Sequence, residues 1–135
     1  MAKSTGPSRP LSPHLQVWKF HPTMLSSILH RASGVVNYVG VVLVAIWLIA
    51  LASGEAVYIG LMDILNGPVK LLVLLALAGF TLSLVYHLLN GLRHLVWDLG
   101  KGFDPAGSNQ RSVLIIAASV ALTAVIWILG LGVIG

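Results

Sequence analysis

The stretch Leu71–Leu92, LLVLLALAGFTLSLVYHLLNGL, decides the fold: 22 consecutive residues without Asp, Glu, Lys or Arg. At ~1.5 Å rise per residue it covers about 33 Å as a helix, against a hydrocarbon core of about 30 Å. Two further charge-free runs flank it, Ala32–Gly54 with 23 residues and Ser112–Gly135 with 24. None contains proline: four of the six prolines fall in the first 22 residues, Pro68 opens the second run and Pro105 lies in the following loop. An unbroken hydrogen-bond ladder in lipid requires that distribution. The expectation is an all-α membrane protein with three transmembrane helices at about 24–53, 67–98 and 110–134, within a domain spanning 23–135. Residues 1–22, polar and Pro-rich, are expected to form an irregular arm on the inner surface.

Composition agrees. Hydrophobic residues make up 57% of the chain and charged residues 9%, where a soluble domain carries roughly a quarter. The formal charge of +4 serves membrane orientation, and nucleic acid is not expected as a partner. Lys3, Arg9, Lys19, Arg31, Arg93, Lys101 and Arg111 fall on one side of the three spans and Lys70 alone on the other. The positive-inside rule then puts the N-terminus and the loop after the second span inside, and the loop carrying Glu55 and Asp63, with the C-terminus, outside. The absence of cysteine excludes disulfides and Cys-ligated iron–sulfur clusters within this chain. The N-terminus lacks an apolar signal core and has few basic residues, so a bacterial inner membrane is expected ahead of a mitochondrial one. Three spans without an internal repeat do not suit an inverted-repeat transporter.

Polar residues inside a span are costly and become informative when they share a face. On the second span Ser83, His87, Asn90, Gly91 and His94 recur at steps of three or four, with Asp98 beyond the membrane edge. On the first, Ser27, His30, Arg31, Gly34, Asn37 and Tyr38 form a second stripe. His87 lies about 8 Å inside the midplane of its run, well within hydrocarbon. There a neutral imidazole suits haem iron, because it supplies a nitrogen ligand without importing charge. It can equally hydrogen-bond across helices. His87 and His94 stand about 10.5 Å apart along the helix, too far to share one iron. A second axial ligand must come from another helix, either His30 or a histidine of a partner chain, and His30 is expected to sit too near the surface to face His87. Arg31 and Arg93 suit inside-positive anchors as well as a site. The third span reads as packing, and a proton path along Ser83, His87, Asn90 and His94 would lack an intramembrane carboxylate.

Three segments carry a resemblance: Arg9-Pro10-Leu11-Ser12-Pro13-His14-Leu15, Ser27-Ile28-Leu29-His30-Arg31-Ala32-Ser33-Gly34, and His87-Leu88-Leu89-Asn90-Gly91-Leu92-Arg93-His94 followed by Asp98. In order and spacing the chain resembles the cytochrome b556 subunits, the larger membrane-anchor chains of succinate dehydrogenase. The resemblance implies a hetero-oligomeric helix bundle that anchors a flavoprotein and an iron–sulfur subunit, holds haem b and forms part of the ubiquinone site, with flavin chemistry in another chain. It implies His87 as an axial haem ligand, the other axial His coming from a second small anchor subunit. It further implies Ser27 and Arg31 at the quinone, and His30, Arg93 and His94 near the haem propionates. The alternatives are an anchor of quinol:fumarate reductase, which runs the reaction in reverse, and a haem-free structural anchor.

Overall fold

The computed structural model describes residues 18–134, and within them helices are the regular elements. There are four: α1 (Pro22–Ala52), α2 (Glu55–Asn66), α3 (Lys70–Asp98) and α4 (Pro105–Ile134). Helices α1, α3 and α4 are long and apolar enough to cross a membrane. The segment Arg9–Leu15 and most of the expected arm lie outside the described residues.

Local chemistry sets the boundaries. Pro22 occupies the first helical position of α1, where its missing N–H costs nothing and its φ is already helical. The helix therefore starts ten residues before the charge-free run. Gly54, at φ 104°, turns the chain sharply into α2, a helix in what the hydropathy pattern marks as an outer loop. Its Leu61, Met62 and Leu65 line a cleft between the crossing helices, while Glu55, Asp63 and Asn66 are exposed. At the other end of α3 the Lys101 amide donates to the Val96 carbonyl (3.3 Å) and the Gly100 amide to that of Trp97 (2.8 Å). This is a Schellman cap, and Gly100 supplies the left-handed residue at φ 73°. Asp104 then caps α4, its Oδ2 accepting from the Gly107 amide at 2.8 Å, with Pro105 at the first helical position. The aspartate–proline pair starts α4 five residues ahead of the expected position 110.

The packing inverts the soluble pattern. Large apolar side chains cover the outside, whereas the buried positions are mostly small or polar: Ser26, Ser33, Gly40 and Ala50 on α1, Ser83, Tyr86, Asn90 and Arg93 on α3, and Ser108, Ser112 and Ser119 on α4. Lipid tails are as apolar as leucine, so close contact and hydrogen bonds, not hydrophobicity, select the interior. Ser26 pairs with Asn90, Ser33 with Ser83 and His87, and Gly40 with Phe80, which makes α1 and α3 antiparallel. Arg93 meets Ser108, and Trp127 meets Thr81, so α3 and α4 are antiparallel too. The ring of Phe80 fills the space where Gly40 lacks a side chain.

Candidate functional site

The site is built where α1 crosses α3. Ser33 Oγ donates to the His30 carbonyl at 2.8 Å. His87 Nδ1 lies 3.2 Å from that carbonyl and 3.0 Å from Ser33 Oγ. A carbonyl only accepts, so a hydrogen bond between that oxygen and the ring puts the proton on His87 Nδ1. That leaves the Nε2 lone pair available, the arrangement in which a histidine serves as a metal ligand with its tautomer fixed by the bond at its other nitrogen. His94 has the same character: its Nδ1–H donates to the Asn90 carbonyl at 2.7 Å.

Depth counted from the charge-free run placed His30 too near the surface to face His87. The structure corrects this: the two rings stack, with centroids 4.0 Å apart and 14° between their planes. The reason is the helix start. With α1 beginning at Pro22, His30 stands eight residues into the helix, or about 12 Å from its end, and the antiparallel register brings it level with His87. His94 stacks on the other face of His30, at 4.8 Å and 21°. His30 therefore fills the two-turn interval between His87 and His94. The rings lie face to face, so their nitrogens do not converge, and among the described residues no group of three His, Cys, Asp or Glu side chains is placed to hold a metal ion.

Space around His87 is controlled by glycine. A Cβ on Gly34 would lie 3.4 Å from His87 Cε1, whereas a Cβ on Gly91, one turn along α3 from His87, would meet nothing within 4 Å. Above this level Ser83 Oγ approaches Asn37 Oδ1 at 2.7 Å and the Ser33 carbonyl at 3.0 Å. A free imidazole nitrogen on a part-exposed ring, beside a residue without a side chain, fits a flat planar iron cofactor that takes one ligand from this chain.

The polar stripe of α1 divides. His30, Gly34 and Asn37 turn toward α3, joined by Ser33 from outside the predicted stripe, while Arg31 and Tyr38 are exposed, Tyr38 by 74%. Arg31 Nη2 donates to Ser27 Oγ at 3.1 Å, a hydroxyl–guanidinium pair on the surface of the bundle near the start of α1. The cleft between the crossing helices, about 1070 Å³ and lined by Val36, Leu43 and Trp47 among others, lies on the other side of α1 and takes no part in that pair.

Four residues that carry the site's framework were given no site role by sequence reading: Ser26, Ser33, Tyr86 and Ser108. Ser26 Oγ donates to Asn90 Oδ1 at 2.8 Å and accepts from Tyr86 Oη at 3.1 Å and Arg93 Nη1 at 3.1 Å. Tyr86 also donates to the Ser26 carbonyl at 2.7 Å. Arg93, expected near the surface, is buried and reaches Ser108 Oγ at 2.7 Å. The doublet Ser26-Ser27 was the available signal: adjacent helical residues point about 100° apart, so the two hydroxyls serve different faces. The turn between α3 and α4 is tied by side chains. Trp97 Nε1 and Arg111 Nη2 both donate to the Gly102 carbonyl, at 3.1 and 2.8 Å. Arg111 also pairs with Asp104 at 2.8 Å. That hydrogen bond, with a second from the Gly107 amide, holds the Asp104 carboxyl below the usual carboxylate range.

Residues 5–126 match the family described as the succinate dehydrogenase/fumarate reductase transmembrane subunit. The chain is 34% identical over 120 residues to the succinate dehydrogenase cytochrome b556 subunit of Rickettsia prowazekii (strain Madrid E), covering 89% of this chain and 91% of that one. It is 34% identical over 122 residues to the corresponding subunit of Paracoccus denitrificans, with 90% and 92% covered. To the mitochondrial cytochrome b560 subunit of Sus scrofa it is 35% identical over 119 residues, with 87% and 69% covered. Three membrane-crossing helices together with these bacterial relatives identify a multi-pass protein of the bacterial inner membrane. The chain belongs to the transmembrane-subunit family of succinate dehydrogenase and fumarate reductase, as a membrane subunit of the succinate dehydrogenase complex.

Proposed function

We propose that this chain binds haem b through His87 and forms part of the site at which ubiquinone accepts electrons from the iron–sulfur subunit. The observation that carries the reading is the placement of His87 Nδ1 3.2 Å from the His30 carbonyl, which leaves Nε2 as the nitrogen to meet iron. When bound, the haem supplies a one-electron carrier at the inner side of the bundle. His30 lies flat against His87 and so cannot offer its nitrogen to the opposite face of the same iron. A histidine of a second small anchor subunit would supply the haem's other protein nitrogen.

Quinone reduction draws electron density and then protons onto the quinone oxygens. Arg31 and Ser27, already hydrogen-bonded to each other, supply a fixed charge and a rotatable hydroxyl to that oxygen, interactions that strengthen as negative charge builds. His30 and His94, at the inner end of the ring stack, are the side chains on this chain for the haem propionates. Arg93 supports them from inside the bundle. In this reading the N-terminus and the Leu99–Asp104 turn face the cytoplasm, where the flavoprotein and iron–sulfur subunits dock, and the C-terminus faces out. The names of the relatives favour succinate oxidation over fumarate reduction as the working direction.

A reduced-minus-oxidised optical spectrum of the assembled complex tests the proposal. The expected result is a bis-histidine haem b band in the wild type that is lost or displaced in His87→Ala. A wild-type complex without the band, or a His87→Ala complex with an unchanged one, would remove His87 from the ligand role.

A further inference from the structure

Arg93 stands near the inner end of α3, where a basic residue would ordinarily reach toward headgroups. Instead it turns inward and is 6% exposed. Nη1 donates to Ser26 Oγ on α1 (3.1 Å) and to Asn90 Oδ1 on α3 (3.4 Å), and Nη2 donates to the Ser108 carbonyl (3.2 Å) and hydroxyl (2.7 Å) on α4. The guanidinium also lies 4.2 Å from the ring centroid of Trp97. One side chain thus ties all three crossing helices at the level of the histidine stack.

Every one of those partners is neutral. The ion pair among the described residues is Arg111 with Asp104, and Asp98, five residues along α3, forms none with Arg93. Guanidinium does not deprotonate in proteins. A permanent positive charge therefore sits inside the bundle six residues from His87, about 9 Å along the helix. Hydroxyl, amide and carbonyl partners engage both Nη groups while the buried Nε has no partner, and none of them cancels the guanidinium's field as a buried carboxylate would.

We propose that Arg93 is a positioning residue with an electrostatic role: it locks α1 and α4 onto α3, and its charge, paired with no carboxylate among the described residues, biases the haem held by His87 toward the reduced form. The inference rests on the haem reading above. Reduction adds one electron to the haem, and a fixed cation in a medium of low dielectric stabilises that added charge. The lock and the field are separable, because the lock needs the planar fork and the field needs only the charge.

Three variants of the assembled complex separate them, each read by redox titration of the haem and by a thermal melt. Arg93→Lys keeps the charge and loses the fork: the melt falls and the haem midpoint potential stays near wild type. Arg93→Gln loses the charge: the midpoint shifts to lower potential. Ser108→Asp leaves Arg93 in place and sets a carboxylate against Nη2, so it too lowers the midpoint, and it keeps the test decisive if Arg93→Gln fails to assemble. An unchanged midpoint in Arg93→Gln or Ser108→Asp overturns the electrostatic role, as does an equal fall in Arg93→Lys and Arg93→Gln. An Arg93→Lys complex that melts like wild type overturns the lock. A wild-type complex without a haem band overturns the electrostatic role together with the haem reading, while the melts still decide the lock.

Discussion

His30 on α1 stacks against His87 on α3 with ring centroids 4.0 Å apart, and its backbone carbonyl accepts from His87 Nδ1 at 3.2 Å. One residue thus fixes both the plane and the proton of another. Because the carbonyl belongs to the helix backbone, the arrangement survives changes to the His30 side chain but not a change in the register of α1 against α3. Ser33 reinforces it from the same turn.

That division of labour predicts different results at His30 and Ser33. His30→Ala leaves the carbonyl in place, so the haem b band should persist with at most a small displacement. Ser33→Ala removes one of the two groups holding Nδ1, a neutral hydrogen bond of about 1 kcal/mol, and should broaden or shift the band. Optical and low-temperature electron paramagnetic resonance spectra of the two variants check the order.

At the outer face of α1, Arg31→Ala should lower quinone reductase activity by about 10- to 100-fold, as expected for the loss of a charge-assisted hydrogen bond of roughly 1.5–3 kcal/mol. Succinate oxidation with a soluble dye should be largely retained. Parallel assays on one preparation decide it, because equal loss of both activities would indicate an assembly defect. Ser27→Ala should act in the same direction and more weakly, since its hydroxyl is neutral.

Gly40 faces the Phe80 ring so closely that a Cβ there would overlap it. Gly40→Ala should therefore destabilise the bundle by about 1–3 kcal/mol, the usual range for overpacking. Adding Phe80→Leu should recover part of the loss. Thermal melts of the single and double variants in detergent give the comparison.

The Asp104 carboxyl, lowered first by its bond from Arg111 and then by the Gly107 amide, should give the fold a pH dependence of definite sign. A carboxyl whose value is depressed on folding contributes stability that is fully present above the unfolded value, about pH 4, and disappears as pH falls through the folded value. The difference in melting temperature between wild type and Asp104→Asn should be constant from neutral pH to about pH 5 and should shrink on further acidification. A difference that grows on acidification would reverse the sign and refute the assignment.

Much of this was legible in one dimension. Three charge-free runs of membrane length lead to three crossing helices, since lipid leaves backbone polar groups no alternative partner. His87 stands out because an imidazole deep in hydrocarbon demands a reason. Other features were invisible for identifiable causes. Helix α2 lies in a stretch too short and too mixed to register as a span. The early starts of α1 and α4 depend on Pro22 and on the Asp104-Pro105 cap, whose signals are local and unrelated to hydropathy.

Ser26 and Ser27 mark the limit most clearly. Periodicity groups residues on a face but does not say which face meets which helix, because rotation and register are set by contacts between segments far apart in the chain. The sequence by itself determined that polar residues gather at one end of the first two spans, and that a histidine lies within a charge-free run of membrane length. Only the tertiary structure decided that Ser26 turns in while Arg31 turns out, that Arg93 is buried among neutral partners, and that the His30 carbonyl leaves His87 Nε2 free. Each of those outcomes depends on angstrom-scale contacts between antiparallel helices, which a pattern of residue types does not encode.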